Sequence, residues 1–284
     1  MIRIITDSTS DLSRERAHAR GIRIVPLTVH FGEEAFRDGE EISNAEFYAR
    51  LATAESLPTT SQVTPSEFTN LFQSYINEGD EIIGIFISSE MSGTCQSAEI
   101  ARQAVDPDHI YIIDSRTVTF PLGLLVEEAA AMRDTGLPAA EIAAAISALT
   151  RRIRLLSVLD TLKYLKMGGR ISAATAVVGG ILGITPLVGI IDGKVESIGK
   201  TRGRRAAFQW MSERLKTEPI DFNHRVCFGH SDFPEAMAEC MEFFKTEVAG
   251  VPEILTSDMG AVVGTHAGPK ATGLAYFVKE STES

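Results

Sequence analysis

Three apolar, β-branched segments in the first half of the chain each end in polar residues and each precede a helical pattern. The segments, with the polar residues that follow them, are 2–6 with Asp7-Ser8, 81–87 with Ser88-Ser89, and 109–113 with Asp114-Ser115. Strands that alternate with helices pair in parallel, with the helices on both faces of the sheet. We therefore predict an α/β fold whose polar strand ends meet at one edge of the sheet, where such folds bind ligands.

The length of the chain and a change of composition predict two domains. A chain of 284 residues has about the length of two average domains, and basic residues become frequent from Arg151 onward. We place an N-terminal domain at 1–152, with a mainly parallel, Rossmann-like sheet and flanking helices. A C-terminal mixed α/β domain follows at 153–284, and its Asp192-Gly193 pair predicts a hairpin turn.

The segment 86–98 joins a buried strand to a helix predicted at 95–104. Hydroxyl residues and Gly93 occupy the turn between them. A helix start leaves backbone N–H groups unpaired and carries the positive end of the helix dipole, so it favours an anionic ligand. Gly93 would let that ligand approach the backbone closely. The alternative is an ordinary hydroxyl cap on a crossover helix.

Two further polar segments are candidates for a site. Segment 58–65 places hydroxyls and one amide between two prolines, which is typical either of a linker or of a ligand-binding loop. A helix predicted at 160–166 ends at Gly168-Gly169, a signal for a helix C-terminus. Arg170 would then project just beyond the end of that helix.

The second half contains two more predicted elements that bear on the site. A helix is predicted at 200–216, and its first turns are rich in arginine. Residues 261–264 are predicted as an apolar strand, which leads to His266 in a glycine-containing loop.

The charge is acidic overall and unevenly distributed. The net charge is −11; residues 1–150 carry −13 and residues 151–284 carry +2. This distribution argues against a general nucleic-acid-binding protein, which would be basic overall. The segment 151–205 has 11 basic and 3 acidic residues, which suits phosphate, an anionic partner or a transient membrane contact. The alternative is a solvated face that only balances the acidic half.

Cysteine usage and hydropathy indicate a cytoplasmic protein. The three cysteines are odd in number and follow no metal-site spacing, so we interpret them as reduced thiols; they are Cys95, Cys227 and Cys240. Residues 1–7 have the pattern of a strand rather than of a signal peptide. The stretch 176–191 is broken by Pro186 and is too short to span a membrane.

Six segments together resemble the DegV family, the fatty-acid-binding proteins that serve bacterial fatty acid kinase. They are Asp7-Ser-Thr-Ser-Asp-Leu12, Pro58-Thr-Thr-Ser-Gln62, Ile87-Ser-Ser-Glu-Met-Ser-Gly-Thr94, Ile113-Asp-Ser-Arg116, Leu162-Lys-Tyr-Leu-Lys166 with Gly168-Gly-Arg-Ile171, and Gly264-Thr-His-Ala-Gly-Pro269. Each segment alone is a weak signal. Their common order along the whole chain makes the resemblance specific.

The resemblance implies one long-chain fatty acid, such as palmitate, in a buried tunnel between the two domains. Its carboxylate would be held by hydroxyls, a backbone N–H and an imidazole, from Thr60, Ser61, Ser92, Gly93 and His266. Arg170 and Arg202 would lie near the carboxyl end and contact phosphate or the kinase. The small-residue stretch 173–185 and Met91 are candidates for the tunnel wall.

The resemblance also implies a role without chemistry of its own. The bound acid would be presented to a separate ATP-dependent kinase, which forms an acyl phosphate for phospholipid synthesis. No catalytic residue, metal or cofactor is implied for this chain.

Three other readings of the sequence remain open. A serine hydrolase or acyltransferase could use Ser92, His266 and Asp114, although Ser92 is not in a Gly-x-Ser-x-Gly elbow. A kinase in its own right lacks a phosphate-binding loop of the Gly-x-x-x-x-Gly-Lys type. The third reading is a structural or regulatory protein without a ligand.

Overall fold

The computed structural model describes residues 1–171 and 183–280, which form strands β1–β13 and helices α1–α10. The strands are β1 (Ile2–Asp7), β2 (Ile22–Val25), β3 (Thr28–Phe31), β4 (Glu34–Arg37), β5 (Thr59–Ser61), β6 (Glu81–Phe86), β7 (Ile110–Asp114), β8 (Ile153–Val158), β9 (Thr185–Ile191), β10 (Lys194–Thr201), β11 (Val226–Ser231), β12 (Ile254–Asp258) and β13 (Ala271–Phe277). The helices are α1 (Arg14–Ala19), α2 (Asn44–Thr53), α3 (Pro65–Asn77), α4 (Thr94–Val105), α5 (Phe120–Asp134), α6 (Ala139–Leu149), α7 (Lys163–Met167), α8 (Arg204–Thr217), α9 (Pro234–Phe243) and α10 (Ala261–Ala267).

The N-terminal sheet is parallel throughout and has the order β2-β1-β6-β7. Successive residues of β1 face opposite sides, as the two-residue repeat of a strand requires. Ile5 packs in one core with Phe68 of α3, whereas Ile4 packs in another with Leu125 of α5. The predicted α/β fold, with helices on both faces of a parallel sheet, is confirmed.

The second sheet is mixed and has the order β10-β9-β8-β13-β11-β12. Its strands pair antiparallel except for β11 with β12. One face carries Leu156 and Phe228 against Phe208 of α8. The other face shares a core with α5, which therefore lies between the two sheets. The division into domains at residue 152 stays a prediction.

A third, small sheet has the order β4-β3-β5 and packs on α2 and α10. Strands β3 and β4 form an antiparallel hairpin that turns at Gly32-Glu33. Segment 58–65 is more ordered than a plain loop, because β5 pairs antiparallel with β3. This pairing fixes the side of the sheet to which Thr60 points.

The helix predicted at 160–166 begins only at Lys163, and two further predicted elements were wrong. Residues 261–264 are the start of helix α10, not a strand, because the apolar pair Val262 and Val263 is buried by packing rather than by strand pairing. The helix predicted from residue 200 begins at Arg204, because β10 continues to Thr201.

The structure also bears on what the sequence indicates about the cysteines and about membrane-spanning segments. The three cysteines are free and buried. Within residues 1–171 and 183–280, no helix combines the length and apolar character needed to cross a membrane.

Candidate functional site

A cavity of about 300 Å³ lies between the two sheets and α10. Apolar side chains from the mixed sheet, from α7 and α10, and from loops that include those after β2, β6 and β7 form most of its wall. They are Leu27, Ile87, Met91, Val118, Leu155, Leu159, Leu165, Val188, Ile190, Val195, Met259, Val262, Val263, Ala267 and Ala271. A largely apolar concavity with a few polar groups is the usual form of a small-molecule site.

The cavity lies where the order of the parallel sheet reverses, between the carboxyl ends of β1 and β6. Such a switch point leaves a crevice beside the strand ends. Asp7, at the end of β1, is fully buried there and accepts hydrogen bonds from the backbone N–H groups of Thr9 at 2.9 Å and Ile87 at 2.8 Å. Burial raises the pKa of Asp7 to about 6, although these hydrogen bonds favour its charged form. Asp7 thus holds together two backbone segments of the cavity wall.

All five residues predicted for the fatty-acid carboxylate line this cavity, together with Arg170. Thr60 and Ser61 come from β5, which the small sheet holds in place. Ser92 and Gly93 come from the start of α4. His266 comes from the last turn of α10. The structure therefore brings together residues that are far apart in the chain.

His266 lies within hydrogen-bonding distance of Thr60 and carries no charge at neutral pH. Its Nε2 lies 3.0 Å from the Oγ1 of Thr60. Among residues 1–171 and 183–280 its Nδ1 has no hydrogen-bond partner; it is buried and faces the α-carbon of Gly168, where an added Cβ would lie only 2.2 Å away. Burial, helped by the Arg170 guanidinium, lowers the pKa of His266 to about 4.

These contacts assign the tautomer of His266. A proton on Nδ1 would be a buried donor without an acceptor, which costs about 1–3 kcal/mol. A lone pair there can instead accept a weak C–H contact from Gly168. We therefore place the proton on Nε2, which donates to Thr60 Oγ1. The Thr60 hydroxyl proton is then free to point into the cavity.

The start of α4 contributes a small group of polar atoms, from Ser92 and Gly93, to the cavity wall. Ser92 Oγ lies 3.0 Å from Thr94 Oγ1 and accepts from the Thr94 N–H at 3.3 Å. Gly93 occupies the N-cap position, where no side chain caps the helix. The amide of Gln62 lies directly over the α-carbon of Gly93, and its Nε2 donates to Ser97 Oγ at 2.8 Å. The helix starts one residue earlier than predicted, at Thr94.

The two arginines predicted for phosphate or kinase contact differ in position. Arg170 lines the cavity, with its NH1 on the Gly168 carbonyl at 2.7 Å and its Nε 3.4 Å from the Met91 carbonyl. Arg202 is exposed, follows β10 and does not line the cavity. Arg170 is therefore the arginine that can act on a ligand head group.

Four polar residues of the cavity wall were missed by sequence reasoning: Thr9, Gln62, Thr119 and Ser157. Gln62 had a usable signal, since it belongs to the same loop as Thr60. Thr119 has a φ of +60° and a ψ of −149°, a region of backbone conformation that disfavours β-branched residues. The local sequence does not predict this conformation. Of the wall residues proposed from sequence, Met91 lies in the wall, whereas 173–182 lie outside the described residues.

The hydrolase constellation is not assembled. Asp114 accepts hydrogen bonds from Ser89, whose hydroxyl lies 2.6 Å away, and it does not line the cavity. His266 uses its Nε2 on Thr60, and its Nδ1 has no partner among the described residues. A triad needs the carboxylate on the imidazole, so the reading with Ser92, His266 and Asp114 was wrong.

Comparison with known proteins gives one consistent family. Residues 1–279 match the model of the DegV family, which is described as uncharacterised. A DegV domain-containing protein of Caldanaerobacter subterraneus is 38% identical over 279 residues, which are 98% of this chain and 99% of the relative.

Solved structures with the same fold carry descriptions of a ligand. A DegV family protein from Thermus thermophilus, described for its fatty acid binding, is 31% identical with a TM-score of 0.90, covering 98% of this chain and 99% of that one. DegV of Bacillus subtilis, described as a fatty acid binding protein, is 30% identical with a TM-score of 0.86, covering 98% and 99% of the two chains.

Proposed function

This chain belongs to the DegV family, and from that premise we propose that it binds one long-chain fatty acid in the cavity between its two sheets. The observation that carries the proposal is the form of the cavity. Apolar side chains make up most of the wall, and hydroxyl, amide, imidazole and guanidinium groups and the backbone of Gly93 occupy the rest. That is the distribution of chemistry along a fatty acid. Solved relatives from Thermus thermophilus and Bacillus subtilis are described as binding fatty acids.

Burial of the acyl chain supplies the affinity in this proposal. Each buried CH₂ contributes about 0.8 kcal/mol. A chain of palmitate length would therefore gain roughly 13 kcal/mol before the cost of ordering it. The apolar wall residues come from β8, β9, β10, β13, α7 and α10 and from the loops between elements, and they would surround the chain from several sides.

Hydrogen bonds hold the carboxylate in this proposal, because a buried carboxylate without partners is costly. The Thr60 hydroxyl donates to it, oriented by the His266 Nε2–H. The Ser92 hydroxyl and the Gly93 N–H at the start of α4 donate as well, and Ser61 lies beside Thr60. Arg170 adds a positive charge at the same end of the cavity. The resemblance of the sequence to the family implies the same role for the other five residues, whereas it implies a phosphate or kinase contact for Arg170.

We further propose that the bound acid is presented to a separate ATP-dependent kinase. There a carboxylate oxygen bonds to the γ-phosphorus of ATP as the bond to ADP breaks, which yields an acyl phosphate for phospholipid synthesis. Arg170 beside the head group and Arg202 on the outer surface would contact the phosphates or the kinase. This chain would act in the cytoplasm and touch the membrane only transiently. It would consist of two domains divided near residue 152, and it would bind the acid without catalysing a reaction itself.

Mass spectrometry of the purified protein tests ligand binding directly. The native mass should exceed the denatured mass by one long-chain fatty acid, and extraction should identify the acid. A protein that is empty and also takes up no added fatty acid would overturn the proposal.

An arginine variant tests the kinase partnership separately. Arg202→Ala should keep the fatty acid affinity, since Arg202 does not line the cavity, and should slow acyl phosphate formation with the kinase of the same organism. Normal turnover would remove Arg202 from this role. The matched control is Arg23→Ala, another exposed arginine away from the cavity.

A further inference from the structure

Gln62 bridges the two segments that form the proposed carboxylate site. It comes directly after β5, which carries Thr60, and its side-chain Nε2 donates to the Oγ of Ser97 in α4 at 2.8 Å. Ser92 and Gly93, at the start of that helix, line the cavity together with Thr60 and Gln62. Gln62 therefore connects the strand that carries the Thr60 hydroxyl to the helix start that carries the Gly93 N–H.

Strand geometry places the Gln62 side chain on the same side as the Thr60 hydroxyl. Successive side chains of a strand point to opposite faces, so residues two apart point the same way. The Ser61 Oγ lies 2.9 Å from the Nε2 of His30 in β3, whereas the Thr60 Oγ1 lies 3.0 Å from the Nε2 of His266. The Ser61 hydroxyl is thus engaged by His30, and Thr60 and Gln62 are the side chains of this segment that are placed to meet a head group.

The Gln62 amide lies against the backbone of Gly93. A Cβ added to Gly93 would lie 2.1 Å from the Oε1 of Gln62 and 2.8 Å from its Nε2. A residue without a side chain is therefore needed at position 93 to leave room for the amide. The oxygen is the end of the amide that lies nearer to this point, beside the N-cap residue whose N–H donates to the carboxylate in the proposed function.

A carboxylate at the Gly93 N–H requires the opposite orientation of this amide. A carboxylate only accepts hydrogen bonds, so an amide oxygen beside it would set two acceptors against each other. A half-turn of the amide about its Cγ–Cδ bond exchanges Oε1 and Nε2. Ser97 is compatible with both orientations, because a hydroxyl can accept from Nε2 or donate to Oε1. The turn therefore provides a donor for the ligand and keeps the contact with α4.

We propose that Gln62 is a further carboxylate-binding residue: its Nε2 donates to the fatty acid carboxylate while its Oε1 accepts from the Ser97 hydroxyl. The proposal rests on the proposed function, since it adds a contact to the same head-group site. It also gives a reason for glycine at position 93, which makes room for the amide. The alternative is a purely structural link between β5 and α4 that does not contact the ligand.

Glutamate and leucine at position 62 distinguish these two roles. Gln62→Glu keeps an acceptor for the Ser97 hydroxyl but replaces the donor by a negative charge, whereas Gln62→Leu removes both hydrogen bonds without adding a charge. If Nε2 contacts the ligand, Gln62→Leu should weaken fatty acid binding by about tenfold, and Gln62→Glu by at least a further tenfold. If the link is only structural, the glutamate variant should bind better than the leucine variant.

Displacement of a fluorescent long-chain fatty acid at about pH 7 measures the dissociation constants. Gln62 is exposed, so both variants should fold. The matched control is Gln73→Glu in α3, which makes the same change of charge at an exposed position outside the cavity wall and should bind like the wild type. A loss of affinity in Gln62→Glu that is no larger than the loss in Gln62→Leu would overturn the proposal.

NMR spectroscopy detects the contact itself. In ¹⁵N-labelled protein stripped of lipid, a long-chain fatty acid should shift one side-chain N–H resonance of Gln62 downfield, because that N–H then donates to a charged acceptor. The resonance is assigned by its absence from the spectrum of Gln62→Leu. An unchanged resonance in fatty-acid-saturated protein would overturn this contact alone. A wild-type protein that takes up no fatty acid would overturn the proposed function and this contact with it.

Discussion

Among single residues, Thr60 has the most specific proposed role, because its hydroxyl would donate a hydrogen bond to the ligand carboxylate. Replacing it by valine keeps its shape and its β-propensity in β5 but removes the hydroxyl that His266 orients. We expect Thr60→Val to weaken fatty acid binding by at least about tenfold, because a carboxylate oxygen and the imidazole N–H both lose a partner. Isothermal titration with a long-chain fatty acid measures the loss.

The matched control for this substitution is Thr60→Ser, which keeps the hydroxyl and removes only a methyl group. Its affinity should stay close to that of the wild type. If valine and serine variants bind equally well, the Thr60 hydroxyl is not a ligand of the carboxylate.

A substitution at Gly168 tests the orientation of His266 without changing a residue that lines the cavity. Its φ of −77° suits any residue, but a methyl group there would lie 2.2 Å from His266 Nδ1. The imidazole must then move away from Thr60, and we expect Gly168→Ala to reduce fatty acid affinity by about tenfold. Gly250→Ala is the control, since its added methyl makes only ordinary contacts with Phe222. Equal affinity in the two variants would contradict the assigned orientation of His266.

At the level of helices and strands, local sequence signals were reliable where the capping partners are close in the chain. Ser43 and Glu46 form a capping box at the start of α2, as a Ser followed three residues later by Glu indicates. The same motif recurs at the start of α3, where Thr64 of the polar segment 58–65 is the N-cap and Glu67 is its partner. Part of that segment therefore serves the helix and not the ligand, a distinction that the hydroxyl-rich composition alone does not make.

The cap of α3 makes a stability prediction. The Glu67 N–H donates to Thr64 Oγ1 at 3.3 Å, and the Thr64 N–H donates to the Glu67 carboxylate at 2.9 Å. Thr64→Ala should lower the free energy of unfolding by about 1 kcal/mol, whereas Thr64→Ser should change it by only a few tenths. Urea denaturation measures both values. A loss of similar size in the serine variant would mean that the hydroxyl cap is not the source of the stability.

Helix α10 marks the limit of prediction from local sequence. Its residues 261–264 contain two adjacent valines, which favour a strand in isolation. The groups that cap the helix, Asp11 and Asp38, are more than 200 residues away. No local pattern could reveal them, so both the helix and the position of His266 depend on tertiary contacts. The residues that the resemblance assigns to the head group lie in short sequence motifs, and the structure places all of them in the wall of one cavity.

At the level of the whole molecule, α5 explains why two sheets enclose one cavity. From Phe120 to Ala130 it is buried on all sides, so it packs as a core helix between the sheets. Its Glu127, fully buried, pairs with Arg16 of α1, which also bonds to Glu253 before β12. The parallel sheet was predictable from strand and helix alternation. The packing of both sheets around α5 was not predictable, since a helix that is buried on every side shows no amphipathic pattern.

The pH dependence of global stability provides a last prediction, and two buried groups affect it in opposite directions. The pKa of Asp7 is raised to about 6 by burial, so its contribution is fully present below its ordinary value and is lost as the pH rises through about 6. The pKa of His266 is lowered from 6.5 to about 4 by burial. Its contribution is present above 6.5 and is lost as the pH falls through about 4.

The two effects overlap in pH, so the free energy of unfolding of the wild type, measured against pH, does not separate them. A comparison with the variant His266→Gln does. The difference in free energy of unfolding between the wild type and this variant should shift by up to about 3 kcal/mol in favour of the variant as the pH falls from about 7 to about 4. His18→Gln, at an exposed position, is the control and should run parallel to the wild type. Urea denaturation across this range measures the difference. If it stays constant for His266→Gln, the imidazole is not buried in its neutral form, and the orientation of Thr60 by a neutral His266 is wrong.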